Sequence, residues 1–150
     1  MEFNMENLLI ITLTQDLMNK YMAEVIREVE GFEYMNWTKE NYLKDLPEKW
    51  KYSLLVLTND NICAFSVNSR KPGIYYIHFF YVFKKFRNKG IGKKLLKACE
   101  NLSQSESIKK LQLKCHKNNI NARKFYLENG YYIAGNDEKK NNYLLEKKIL

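Results

Sequence analysis

The chain has 150 residues, 45% hydrophobic and 14% aromatic, which is enough to bury about two-thirds of the unfolded surface of one packed domain. Its 25 Lys and Arg exceed its 17 Asp and Glu, giving a net charge of +8. The basic residues are scattered as pairs such as Lys84-Lys85, Lys93-Lys94 and Lys139-Lys140; this argues against a nucleic-acid partner and leaves a positive field that would steer a polyanionic small molecule.

In chain order, Leu8 to Leu13 reads as a first strand, and Thr14 caps a helix over residues 15–29 with Leu17, Tyr21, Val25 and Ile26 on one face. Phe32 to Trp50 is a second, less regular helical region broken at Pro47. Two strands, Ser53 to Leu57 and Ile62 to Val67, flank Asn59-Asp60-Asn61 as a hairpin. The turn Lys71-Pro72-Gly73 leads into an aromatic-rich strand, Tyr75 to Val82, and a helix follows over residues 91–103. A strand (Leu111 to Cys115), a helix (Asn119 to Asn129) and a last hairpin (Tyr131 to Ala134, Tyr143 to Ile149) complete the order. No linker or repeat divides the chain, so residues 1–150 are expected to form one domain.

The three cysteines fall on strand, helix and strand, and with only two histidines they offer no disulfide framework or metal site. The longest apolar run, Ile74 to Phe83 interrupted by His78, is well short of the ~18 residues that cross a bilayer. The first residues lack the basic region of a secretion signal. A soluble, cytoplasmic protein without a membrane partner is expected; a homodimer stays open.

The most informative stretch joins the aromatic strand to the helix that follows. Arg87-x-x-Gly90-x-Gly92 lies at that helix start, where uncovered main-chain N–H groups can point at an oxyanion. The helix macrodipole adds roughly half a positive charge there, and Arg87, Lys89, Lys93 and Lys94 surround it with cations. Two common phosphate loops do not fit. A Walker A loop needs Gly at 87 and Ser or Thr at 94, where Arg87 and Lys94 stand. The dinucleotide fingerprint needs Gly or Ala at 95, where Leu95 stands. Downstream, Asn119-x-x-Ala122-x-x-x-Tyr126 follows a strand and leads to Gly130-Tyr131. Asn118 or Asn119 can cap the helix, Ala122 and Tyr126 share one face, and Gly130 ends it.

Together the two patterns resemble motifs A and B of the GNAT superfamily of N-acetyltransferases, and they cover residues 74–134. The resemblance implies an α/β fold with a central, mostly antiparallel mixed sheet flanked by helices. It implies acetyl-CoA as the acyl-donor substrate, no metal, and direct attack by the amine of a small molecule or peptide. By the same resemblance the backbone of Phe80, Tyr81 and Val82 pairs with the pantetheine arm. The loop Arg87, Asn88, Lys89, Gly90, Ile91, Gly92 and Lys93 holds the pyrophosphate, and Asn119 bonds CoA beyond it. Tyr126 occupies the position that stabilises the departing thiolate. His78 stands where relatives place a base on the strand, and by period-two alternation it shares a face with Tyr76 and Phe80. Lys114 occupies the slot where some protein-N-terminal acetyltransferases carry Glu, which argues against that subfamily. Glu30, Glu33, Tyr34 and Trp37 lie in the region that usually lines the acceptor pocket. The reading from another class is a CoA-binding sensor or interaction module that has lost turnover.

Overall fold

The computed structural model describes residues 4–149. Thr14 accepts the Leu17 amide at 3.2 Å and so starts helix α1, Gln15–Val29, directly after strand β1, Leu8–Thr12. The apolar stripe of α1 buries Met18, Tyr21, Met22, Val25 and Val29; Ile26, expected on that face, is 40% exposed. The region expected to be loosely helical resolves into two short helices, α2 (Lys39–Leu43) and α3 (Lys49–Tyr52). Lys49 links them. Its buried ammonium donates to the carbonyls of Tyr42 and Lys44, both at 2.6 Å, at the C-terminal end of α2. Burial lowers its pKa to about 8.

Strands β2 (Leu54–Thr58) and β3 (Asn61–Lys71) meet at Asn59 and Asp60, whose φ values of 50° and 64° place both in the left-handed region of a tight hairpin turn. Strand β4 (Ile74–Val82) follows, then helix α4 (Ile91–Ser105), strand β5 (Lys110–His116), helix α5 (Ile120–Glu128), and the hairpin of β6 (Tyr132–Asp137) and β7 (Asn142–Lys148). The seven strands run in the order β1-β2-β3-β4-β5-β7-β6. Every neighbouring pair is antiparallel except β4 and β5.

Two features of β4 position the site. Its parallel pairing with β5 covers only Ile74–Ile77 against Lys110–Leu113. β4 then continues to Val82 and β5 to His116, so the strands part and leave a cleft in the sheet. The second feature is a bulge. Val67 faces Phe79 and Asn68 faces Ile77, so His78 is left without a partner on β3. The extra residue reverses the alternation. Tyr75 and Ile77 belong to the core beneath α4 and α5, whereas Phe79 and Tyr81 belong to the core beneath α1 and α2. Strict period-two alternation therefore misplaces Phe80, which packs with Phe125 and Tyr126 on the α5 side, while His78 meets Tyr76 edge-on.

A buried polar cluster secures α5. Glu100 of α4 accepts from the Tyr131 hydroxyl and from the Lys147 ammonium, each at 3.0 Å. Lys147 also donates to the Asn129 carbonyl at 2.9 Å. With Glu100 only 5% exposed, this pair holds the end of α5 against α4 and β7.

Candidate active site

The glycine loop is open to solvent from Arg87 to Gly90. Gly90 is the N-cap of α4 with φ 82°, a conformation that costs an L side chain about 1 kcal/mol. The first helical hydrogen bond runs from the Lys94 amide to the Gly90 carbonyl at 3.2 Å, so the amides of Ile91, Gly92 and Lys93 lie ahead of the ladder. At Gly92 a Cβ would stand 3.4 Å from Phe125 Cζ and 3.5 Å from Val82 Cγ2, ordinary van der Waals contact. The start of α4 lies beside α5 and the end of β4. Arg87, expected as a mobile cation, is a brace. Its Nε donates to the Val82 carbonyl at 2.9 Å, and its guanidinium lies 5.1 Å from the Tyr81 ring centre. Lys89 and Lys93 are exposed beside the loop.

The entire connection is tied down by Glu28 of α1. Its Oε2 accepts the Lys84 amide at 2.8 Å and the Tyr81 hydroxyl at 2.9 Å. Nothing in the spacing of Glu28 on its helix signalled this role, because its partners lie more than fifty positions downstream.

Where β4 and β5 part, a cavity of about 70 Å3 opens. Phe80, Tyr126, Ala122 and Asn119 line one side; His78, Phe79, Phe32, Tyr34 and Met35 line the other; Cys115 and His116 stand at the β5 edge. The structure thus brings together Tyr126, Asn119, Phe80 and His78, and the main chain of Phe80 to Val82 leads from them to the glycine loop. On its β3 side that segment pairs with Ser66, Phe65 and Ala64; on its β5 side it faces the cleft. Asn119 caps α5, its Oδ1 accepting the Ala122 amide at 3.3 Å. Tyr126 is 5% exposed within a ring of aromatics formed by Phe80, Phe125 and Tyr131. Burial pushes its pKa well above the ordinary tyrosine value, and Cys115 and Cys99 add to the shift.

His78 Nε2 lies 2.6 Å from Ser69 Oγ. Burial, reinforced by Lys71, Lys49 and Lys44, lowers the imidazole pKa to about 4, so the ring is neutral at pH 7. Of the four acceptor-side residues expected from the sequence, only Tyr34 lines the cavity. Trp37 packs on Tyr42 and Phe79 in the core, and Glu30 and Glu33 are exposed. Tyr34 also crosses the mouth of the cleft. Its hydroxyl donates to the Asn118 carbonyl at 3.1 Å, and its ring lies 5.1 Å from that of His116. His116 accepts the Asn118 amide on Nδ1 at 3.1 Å, which leaves its neutral form with the proton on Nε2. The sequence marked Tyr34 only by region and gave His116 no role at the site.

Among the described residues no group of three or more His, Cys, Asp or Glu could hold a metal ion, and no helix is long and apolar enough to cross a membrane. All three cysteines are free and buried.

Comparison with known proteins gives the arrangement a family. The acetyltransferase (GNAT) family matches residues 15–131. A GCN5-related N-acetyltransferase 4, chloroplastic, from Arabidopsis thaliana is 31% identical over 81 residues, covering 51% of this chain and 28% of the relative. A probable spermine N(1)-acetyltransferase from Bacillus subtilis subsp. natto is 33% identical over 66 residues, covering 43% of each. The chain thus spans less than half the length of the curated relatives it matches. The crystal structure of Ard1 from Thermoplasma volcanium superposes with a TM-score of 0.81 at 20% identity, over 96% of this chain and 99% of that one. With a mixed seven-stranded sheet opened between two parallel strands and a glycine loop at the opening, the chain belongs to the GNAT acetyltransferase family.

Proposed function

We propose that the protein transfers an acetyl group from acetyl-CoA to a primary amine. The observation that carries this reading is the continuity of the cleft edge. The free side of β4 from His78 to Val82 runs directly into the amides that precede the α4 ladder. An extended amide-containing arm ending in a diphosphate matches such a track, with strand-like pairing along one part and anion binding at the helix start.

In this reading Phe80, Tyr81 and Val82 pair with the pantetheine arm through their main chain. The amides from Asn88 to Lys93 grip the diphosphate, with Gly90 and Gly92 allowing its close approach and Ile91 anchoring the turn in the core. Lys89 and Lys93 add charge, and Arg87 keeps the loop in shape. Asn119, its Oδ1 taken by the cap, has its Nδ2 left to donate to the bound arm.

The acceptor nitrogen attacks the thioester carbonyl, the carbon–sulfur bond breaks with its electron pair leaving on sulfur, and the proton lost by the nitrogen passes to water. Tyr126 lies beside that sulfur in this reading. A phenol whose pKa is raised by burial donates a hydrogen bond to the thiolate rather than its proton. His78 was the expected base, yet its depressed pKa and its contact with Ser69 make it a weak one. The amine therefore needs to reach the carbonyl already neutral, with His78 as a polar contact on the acceptor side.

The test follows free thiol release with acetyl-CoA and an amine panel. Thiol released in step with acetylated amine is the expected result. Stabilisation by CoA without turnover of any amine would instead indicate a coenzyme-binding module.

A further inference from the structure

The proposed acetyl transfer leaves the acceptor open, and the wall facing the coenzyme side of the cleft bears on it. That wall is the rings of Phe32, Tyr34 and Phe79, which pack on one another, together with Met35. Phe32 stacks on Phe79 at 6.3 Å between ring centres and meets Tyr34 and Tyr81 edge-on, each at 5.6 Å. Tyr34 fastens the wall across the cleft through the Asn118 carbonyl, so it is a closed surface and not a trailing loop.

Among the described residues that line the cavity there is no Asp or Glu, while Lys114 does line it. Lys114 is paired with Asp137 at 3.3 Å. Lys71, Lys49 and Lys44 add to the lowering of the His78 pKa but do not line the cavity. Glu33, the carboxylate next to Tyr34 in the chain, is exposed and does not line the cavity. A polyamine entering such a site would bring ammonium groups out of water with no carboxylate among the lining residues to meet them. A monoamine on an apolar group would bury that group against the aromatics. The same surroundings would lower its ammonium pKa and so deliver the neutral nitrogen that a weak His78 cannot generate.

We infer that the acceptor is a primary amine carried on an apolar or aromatic group, with no second cation, whose apolar part sits against Phe32, Met35 and Phe79. This rests on the acetyl-transfer reading above. Two sources share that chemistry: a small aralkyl or alkyl amine, and the α-amine of a peptide whose first side chain is apolar.

The experiment measures thiol release from acetyl-CoA with 2-phenylethylamine, hexylamine, a tetrapeptide beginning with phenylalanine, spermidine and spermine, alongside a calorimetric titration with CoA. The expected result is a kcat/KM for at least one apolar monoamine or the peptide about tenfold or more above that for spermine. The aralkyl and peptide arms separate the two sources. In Met35→Glu, a carboxylate on the wall should cut the apolar preference about tenfold and raise spermine turnover, with CoA affinity unchanged; Met35→Gln should keep the wild-type order. Spermine used as well as or better than the apolar amines would overturn the inference and leave acetyl transfer standing. CoA binding without turnover of any apolar amine would also overturn it. Failure to bind CoA at all would remove the underlying reading, and this inference with it.

Discussion

On the β4–α4 side of the cleft, the groups available to a ligand are main-chain amides held in place by glycines, a strand edge and the Glu28 tie. On the α1–α2 side, the cleft is closed by side chains of Phe32, Tyr34 and Met35 on a segment with no regular structure. The difference separates what is bound by shape from what is bound by identity. Main-chain donors depend on backbone conformation and tolerate most side chains, so that side suits a coenzyme common to many relatives. A wall of side chains changes with every substitution, so in the proposed reading that side selects the acceptor.

The comparison can be broken most forcefully at Gly92. Gly92→Glu places a carboxylate beside the amides of the α4 start, and CoA affinity should fall by about 100-fold, near 3 kcal/mol. Because φ at Gly92 is ordinary and its nearest neighbour is the end of the Phe125 ring at 3.4 Å, the thermal transition should survive with a modest shift. Calorimetry on the folded variant measures both. Unchanged affinity would move the anion site elsewhere.

Tyr126→Phe removes only a hydroxyl. The expected effect is a fall in kcat of about tenfold with CoA affinity nearly unchanged, as fits a hydrogen bond made mainly to the departing thiolate. An unchanged rate would make Tyr126 a packing residue. Smaller still, Tyr34→Phe removes the bond to the Asn118 carbonyl and leaves the ring in place. It should raise KM for the acceptor severalfold, in keeping with the ~1 kcal/mol of a neutral hydrogen bond, without touching CoA affinity.

The smallest expected effect concerns pH. His78 has a folded pKa of about 4, below its ordinary 6.5, so the native state favours the neutral ring. That stabilisation is complete above pH 6.5 and is lost as pH falls towards and through 4. Denaturation midpoints of the wild type should therefore drop between pH 6.5 and 4, and His78→Gln should flatten part of that drop. Parallel profiles for the two proteins would contradict the burial of a neutral His78.

The β4–α4 side was legible in the sequence because its signals are local. Gly90 and Gly92 with the apolar period of α4 form one short stretch, and the Asn119 cap with Ala122 and Tyr126 forms another. Their spacing carries the geometry. The other side was not, because its geometry depends on contacts between distant segments. Tyr34 and Asn118 are 84 positions apart, and Glu28 and Lys84 are 56 apart. The bulge at His78 inserts no Gly or Pro to announce it, so alternation was carried through to Phe80 when the structure reverses it. Trp37 was expected at the acceptor pocket by its region, but its ring is drawn into the core by Tyr42 and Phe79.

Amide hydrogen exchange across residues 86–94, with and without saturating CoA, tests the central claim most directly. Binding by main-chain donors predicts marked slowing at Gly90, Ile91, Gly92 and Lys93, with dephosphorylated pantetheine giving none of that protection. Unaltered exchange at these amides while CoA is demonstrably bound would contradict it.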